Sequence, residues 1–89
     1  MIQLVTHIRI RNTDSQGTES IIEVLLATGE TRPITTMIEY LEIGGQYYYF
    51  DSAGRITYIE SVHPLYKGAY IRSCNYDGVY DSLMSLPHF

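Results

Sequence analysis

The last twenty residues, 70–89, read YIRSCNYDGVYDSLMSLPHF. They pass from a strand-like Tyr-Ile-Arg into an Asp-Gly turn and end in the apolar segment Leu-Met-x-Leu-Pro. Chain ends usually fray unless contacts hold them in place. An end this apolar must be covered, so we expect it to dock on the body of its own chain or on a partner.

Size and composition predict a small globular protein. The chain has 89 residues, of which 45% are hydrophobic and 18% are charged. This length predicts a single domain, residues 1–89. Such a domain buries only about 60% of the surface that its unfolded chain exposes. We therefore expect one compact core with little room for an enclosed catalytic cavity.

The charge balance restricts the class of partner. Ten acidic residues against six basic ones give a net charge of −4. Because nucleic-acid binding depends on clustered Lys and Arg, this balance argues against a polynucleotide partner. Lys67 is the single lysine, so the sequence has no polybasic segment of the kind that attaches proteins to membranes.

Two further features favour the cytoplasm. Cys74 is the single cysteine, which excludes an internal disulfide and is typical of a reducing compartment. The run MIQLVTHIRI carries His7 and Arg9 among its apolar residues, so it is typical of neither a signal peptide nor a membrane span. We expect a cytoplasmic protein of bacterial or phage origin.

Apolar and polar side chains alternate over residues 2–11, which predicts a half-buried strand. One face would hold Ile2, Leu4, Thr6, Ile8 and Ile10, and the other Gln3, Val5, His7, Arg9 and Arg11. Residues 20–27 are apolar on both faces, which predicts a second, more central strand. Residues 28–32 would then turn the chain before Pro33.

A short helix is predicted over residues 36–43. Thr36 and Glu39 match a capping box, and Gly44-Gly45 provides a stop. Its buried stripe would consist of Met37, Ile38 and Leu41, with Tyr40 beside it. Because so short a helix is unstable alone, it must pack on a sheet.

The second half of the chain predicts three more strands. Residues 46–50 and 55–62 would form a hairpin around the turn DSAG, and residues 69–74 a last strand. Asp81 or Ser82 would cap a helical turn that Pro87 ends. The fold class is therefore α+β, β-β-α-β-β-β: a mainly antiparallel sheet of about five strands, one short helix on one face and a docked C-terminal turn.

Several of these segments together resemble a known family. They are Thr6-His7-Ile8-Arg9, the amphipathic helix ending in Gly-Gly, the aromatic strand with Asp-x-x-Gly, Tyr70-Ile71-Arg72, Asp77-Gly78, and Asp81-x-Leu83-x-x-Leu86-Pro87-x-Phe89. Over nearly its whole length the chain is similar to the small bacterial domain of unknown function called DUF three-eight-nine-two. The resemblance implies a single intracellular domain and no particular activity.

Basic side chains at two-residue spacing project together from the first predicted strand: His7, Arg9 and Arg11. With Arg72 on a neighbouring strand they would make a site for a phosphate or carboxylate. The alternative, which we favour, is a solvated face on which these charges pair across strands with Glu23 or Glu60.

Arg72 is the strongest candidate among these cations. A Tyr-Ile-Arg strand beside an Asp-Gly turn predicts an ion pair of Arg72 with Asp77 or Asp81, either structural or ligand-clamping. Both aspartates flank a turn and a helix cap, where Asp is also favoured for its hydrogen bonds to the backbone.

The run Tyr47-Tyr48-Tyr49-Phe50 makes both faces of one strand aromatic. One face would enter the core under the helix, and the other would need Tyr58 and Tyr70 as neighbours, or a partner. An exposed aromatic patch usually marks a binding surface. We assign Tyr47, Tyr49, Tyr58 and Tyr70 to that surface.

No residue pattern predicts catalysis. The three histidines and Cys74 contain no close pair of the kind that structural zinc sites use. No nucleophile–base motif surrounds Cys74. We therefore predict no enzymatic activity, no metal and no cofactor.

These observations predict a non-catalytic interaction module that binds a protein partner, or a second copy as a homodimer, through an aromatic sheet face. The alternative is a protein that binds or sequesters a small anionic, nucleotide-like ligand by tyrosine stacking and strand-borne arginines. The candidate binding residues are His7, Arg9, Arg11, Tyr47, Tyr49, Tyr58, Tyr70, Arg72, Asp77 and Asp81.

Overall fold

The computed structural model describes residues 2–11, 17–74, 76, 78 and 81–89. The elements in chain order are β1 (Ile2–Ile10), a 3₁₀ turn (Thr18–Ser20), β2 (Ile21–Leu26), β3 (Thr31–Pro33), α1 (Ile34–Glu42), β4 (Gln46–Phe50), β5 (Ile56–Val62), β6 (Tyr70–Ser73) and a 3₁₀ helix (Ser82–Ser85). The predicted α+β fold class is confirmed. Within these ranges the sheet has six strands rather than about five, because residues 31–33 form the short edge strand β3.

The strand order is β3-β2-β1-β4-β5-β6. Among the described strands, four neighbouring pairs are antiparallel, and the sheet is mainly antiparallel as predicted. The exception is β1 with β4, which run parallel, Ile2 opposite Gln46 and Leu4 opposite Tyr48. Parallel neighbours need a crossover connection. Here β2, β3 and α1 lie between the two strands in the chain.

A bulge in β1 changes the faces expected from strict alternation. The register between β1 and β2 shifts between Val5 and His7. Because a one-residue slip moves every following side chain to the opposite face, Val5 and Ile8 are both buried in the core. The predicted division of β1 is therefore wrong. Leu4, before the bulge, and His7, after it, share the face opposite the core.

The helix begins two residues earlier than predicted. Its N-cap is Pro33, without a side-chain hydrogen bond, and its first residue is Ile34. Thr36 lies inside the helix, so the predicted capping box is wrong. The fixed φ of proline, −64° here, allows Pro33 to end β3 and lead directly into the helix.

The predicted helix stop at Gly44-Gly45 is confirmed. The N–H of Gly45 donates to the carbonyl of Tyr40 (2.9 Å), and the N–H of Gly44 donates to the carbonyl of Leu41 (3.2 Å). This pair of bonds is a Schellman motif, which requires a positive φ at its first residue beyond the helix. Gly44 supplies it, with φ 95°.

The core lies between α1 and one face of the sheet. Helix α1 contributes Ile34, Met37 and Ile38. The strands contribute the buried side chains Val5, Ile8, Ile21, Val24, Leu26, Tyr47, Tyr49, Ile59 and Ile71. Leu83 of the C-terminal 3₁₀ helix is also fully buried. We call the sheet face toward α1 the inner face and the opposite one the outer face.

The C-terminal segment docks on its own chain, as predicted. Beyond the three pairs that β4 makes with β1, the segment 87–89 pairs with β1 in parallel. The N–H of Ile8 donates to the carbonyl of Pro87 (2.9 Å), and the N–H of Phe89 donates to the carbonyl of Ile8 (3.1 Å). The segment thus satisfies an edge of β1 that would otherwise be open.

Candidate functional site on the outer sheet face

The aromatic run of β4 places rings on both faces of the sheet. Tyr47 and Tyr49 point into the core and are 1% and 0% exposed. Tyr48 and Phe50 point to the outer face, where Tyr58 of β5 lies directly opposite Tyr48. The strand order places this pair of strands beside β1, so residues of three neighbouring strands meet there.

Five large side chains form what we call the aromatic patch: Ile2, Tyr48, Phe50, Ile56 and Tyr58. Tyr48 is half-buried, and the other four are between 43% and 57% exposed. The ring of Tyr48 meets that of Phe50 edge-on, with centroids 5.8 Å apart, and that of Tyr58 at 6.4 Å. A shallow groove of about 270 Å³ is lined by Ile2, Tyr48, Ile56 and Tyr58.

A second groove continues the aromatic patch toward β2. It measures about 480 Å³, and it shares Ile2 and Tyr48 with the first groove. It is lined by half-buried Leu4, by the polar side chains of Gln3 and Thr28, and by the ion pair of Arg32 and Glu30 in the β2–β3 connection. Beyond the aromatic patch, Leu4 and Ala27 add a small apolar surface, and the rest of this groove is polar.

The arginines of the outer face are paired across strands. Arg9 lies opposite Glu23, and Arg72 lies opposite Glu60. The nitrogen–oxygen distances are 3.3 Å and 2.7 Å. The favoured prediction of cross-strand pairs is confirmed. The predicted pairing of Arg72 with Asp81 is wrong, because the strand register brings Glu60 to Arg72.

The three basic side chains expected to cluster on β1 are not brought together. Arg9 lies over the ring of Phe89, 4.5 Å from its centroid. The Nδ1 atom of His7 is 2.9 Å from the hydroxyl of Thr6. Arg11 lies beyond the end of β1 and lines a separate hollow with Glu19. An anion site built from all three is not formed.

The assignment of Tyr47 and Tyr49 to a binding surface is wrong. The ring of Tyr47 packs edge-on against Tyr40, with centroids 5.4 Å apart. The hydroxyl of Tyr49 bonds to the hydroxyls of Ser73 (2.5 Å) and Ser82 (2.6 Å). Burial raises the pKa of both phenols. Alternation correctly separates two sets of rings, but the hydroxyl partners of Tyr49 are distant in sequence.

Asp81 is also structural. Its carboxylate is buried and accepts hydrogen bonds from the N–H of Ser73 (2.8 Å), the N–H of Leu83 (2.9 Å) and the hydroxyl of Ser73. It thereby caps the C-terminal 3₁₀ helix, as predicted, and joins it to β6. These bonds leave Asp81 no part in an exposed binding surface. The other predicted aspartate, Asp77, lies outside the described residues.

Tyr70 stands at the margin of the outer face. It is half-buried, it lies opposite Val62, and the Lys67 ammonium is 5.6 Å from its ring centroid. Tyr58 lies on the outer face, within the aromatic patch, and its binding role stays a prediction. Sequence reasoning did not assign four members of the aromatic patch to the site: Ile2, Tyr48, Phe50 and Ile56. For Tyr48, Phe50 and Ile56 the signal was the alternation of β4 and β5, once the buried face is known; Ile2 lies on β1, and its place beside Tyr48 depends on the pairing of β1 with β4.

The thiol of Cys74 is a potential nucleophile. Partial burial and the neighbouring Glu60 raise the pKa of the Cys74 thiol, which favours its unreactive protonated form. In the ranges that the structure describes, no three His, Cys, Asp or Glu side chains cluster so as to hold a metal ion. Nor does any helix in those ranges have the length and apolarity needed to cross a membrane.

Comparison with known proteins gives no relative. No protein-family model, no curated protein and no solved structure matches this chain. The resemblance to DUF three-eight-nine-two stays a prediction.

Proposed function

We propose that this protein is a non-catalytic interaction module that binds another polypeptide through the aromatic patch. The observation that best supports this proposal is that these large side chains are exposed to solvent, although the buried core lies on the inner face. Since one large side chain presents about 150–250 Å², the patch exposes on the order of 400–500 Å². Apolar patches of this size on small proteins are commonly functional.

The position of the patch favours binding, because it is built on paired strands. Four ladder pairs join β4 to β5. Their turn is fixed by Asp51, whose carboxylate accepts the N–H groups of Ala53 and Arg55, each at 2.9 Å. A surface held rigid before binding loses less conformational entropy when a partner docks. Tyrosine suits such a surface, since it offers a large ring, few rotamers and a polar tip.

The alternative, a small anionic ligand held by stacked tyrosines and arginines, has weaker support. Two of the rings assigned to stacking, Tyr47 and Tyr49, are in the core. Arg9 and Arg72 already share their charges with glutamates. A phosphate would compete with those carboxylates for the same guanidinium charges, which lowers the gain from binding. Polypeptide binding through the aromatic patch requires no change in these ion pairs.

Photo-cross-linking tests the proposal. Benzoylphenylalanine would replace either Tyr58, in the aromatic patch, or Tyr66, a loop residue that is 97% exposed. After irradiation of the cells that express each variant, we expect polypeptide adducts at position 58 and far fewer at position 66. Equal yields at both positions, or no adduct at position 58, would overturn polypeptide binding through this face.

A further inference from the structure

We infer that the polypeptide bound by the aromatic patch is a second copy of this chain, packed outer face to outer face about a two-fold axis. This inference rests on the proposed function and names its partner. Three properties of the outer face favour this partner: its charge, its shape and its area.

The charges of the outer face cancel. Each arginine of the outer face is matched by the glutamate opposite it, Arg9 by Glu23 and Arg72 by Glu60. An acidic or basic partner is recognised by an excess of the opposite sign, and these pairs provide none. Two chains that each carry a net charge of −4 approach best through a surface without net charge.

The opposite side of the molecule has a different charge. Helix α1, with the sequence ITTMIEYLE, carries Glu39 and Glu42 and no basic residue. Two copies that met through their helices would bring like charges together, at an energetic cost. The neutral, aromatic outer face is therefore the better place for self-association.

The shape of the patch suits a symmetric pair. Two sheets pack face to face about 10 Å apart, with their strands within about 30° of each other. In a two-fold interface the same patch serves both subunits, so it must complement itself. Aromatic rings meet this condition because the edge of one ring is attracted to the face of another. Tyr48 and Phe50 already pack in this way within one chain.

The area of the aromatic patch limits the expected affinity of the dimer. The patch, on the order of 400–500 Å², is smaller than the roughly 800 Å² that each partner buries in a standard interface. Half-buried Leu4 adds a small apolar area beside the patch. We expect a reversible dimer with a dissociation constant on the order of 10 µM.

Sedimentation velocity tests this inference over a concentration series from about 1 µM to about 1 mM, which brackets that constant. The wild-type protein should change from 10.2 kDa to about twice that mass. Tyr58→Arg places a charge in the patch of both subunits and should remain monomeric. Tyr66→Arg, the same change at an exposed loop position, should dimerise like the wild type.

Ile56→Arg gives a second patch variant at a site that is more than half exposed, and it should also be monomeric. Circular dichroism and urea unfolding would establish that each variant is folded. A dimer that persists in folded Tyr58→Arg or Ile56→Arg would overturn the inference. So would a wild-type protein that stays monomeric at about 1 mM, far above the expected constant.

The cross-linking experiment separates the two proposals. Adducts of about twice 10.2 kDa at position 58 support the second copy. Adducts of other masses, together with a monomeric wild-type protein, would overturn the second copy and leave polypeptide binding in place. The absence of any adduct at position 58 would overturn both.

Discussion

Tyr49 and Tyr48 are neighbours in the chain, yet they belong to different parts of the molecule. Tyr49 has no exposed surface, and its hydroxyl bonds to Ser73 and Ser82. Tyr48 is half-buried on the outer face, and its ring contacts other rings of the aromatic patch. Both are tyrosines of the same strand, so strand propensity does not distinguish them.

The difference lies in what covers each face. The inner rings have α1 above them, and the hydroxyl of Tyr49 also bonds to Ser73 of β6 and Ser82 of the C-terminal 3₁₀ helix. The outer rings have no such layer among the described residues. A sheet of this kind normally packs one face on a core and leaves a polar face to water. The aromatic outer face departs from that rule, and the binding proposed above would account for the departure.

The largest expected effect separates the two faces by stability. Tyr49→Ala removes a fully buried ring and should lower the free energy of unfolding by about 3–5 kcal/mol. Tyr58→Ala, on the outer face, should lower it by no more than about 1 kcal/mol. Urea unfolding followed by circular dichroism measures both. Equal losses in the two variants would refute the division into a core face and an open face.

A second comparison sets the buried carboxylate of Asp81 against an exposed hydroxyl. Asp81→Ala leaves the buried N–H groups of Ser73 and Leu83 without their acceptor and should cost about 2–4 kcal/mol. Ser85→Ala changes an exposed side chain in the same 3₁₀ helix and should alter stability by no more than about 0.5 kcal/mol. If Asp81→Ala were as stable as Ser85→Ala, the hydrogen bonds of Asp81 to Ser73 and Leu83 would not be what holds the C-terminal 3₁₀ helix on β6.

The packing of the inner face leaves no room for a side chain at Gly45. A Cβ atom on this residue would lie 2.2 Å from Cε2 of Tyr40, whose ring packs on Tyr47. Gly45→Ala should therefore destabilise the protein by about 1–3 kcal/mol. Gly68→Ala is the matched control, because its Cβ meets nothing within 4 Å, and it should be neutral or stabilising by about 0.5 kcal/mol. Thermal unfolding would rank the two, and an unaffected Gly45→Ala would contradict the close packing.

The smallest expected effect is a loss of stability at alkaline pH, caused by the buried phenols of the inner face. Burial raises the pKa of Tyr47 and Tyr49 above the ordinary value of 10.0. The unfolded chain therefore loses these protons at a lower pH than the folded chain does. Stability is retained below pH 10 and should fall as the pH rises above it. Tyr49→Phe should weaken this fall, and urea midpoints measured from pH 9 to 11 would detect it. A midpoint independent of pH would contradict the burial of both phenols.

Local features of the sequence predicted much of this fold. Gly44-Gly45 ends the helix, Asp51 and Gly54 form the hairpin turn, and Asp81 caps the last helical turn. Each depends on a conformation or a hydrogen bond that few residue types provide, within a few positions of the chain. Such signals can be read without knowledge of the tertiary structure.

Features that depend on distant contacts were not predictable in the same way. The bulge between Val5 and His7 is defined only by pairing with β2, and the parallel pairing of β1 with β4 joins residues more than forty positions apart. The partner of Arg72 depends equally on strand register. The choice between Tyr47 and Tyr48 as the buried ring follows from the position of α1. Alternation gives two sets of side chains, and only the packing identifies the core set.

One NMR measurement tests most directly the claim that the outer rings are kept open for a second copy. The nine tyrosines would be replaced by 3-fluorotyrosine and their ¹⁹F signals recorded with a soluble paramagnetic agent, at low and at high protein concentration. We predict that Tyr47 and Tyr49 are shielded at both concentrations, whereas Tyr48 and Tyr58 are accessible when dilute and become shielded when concentrated. Accessible signals from Tyr47 or Tyr49, or outer signals that do not change with concentration, would contradict the account.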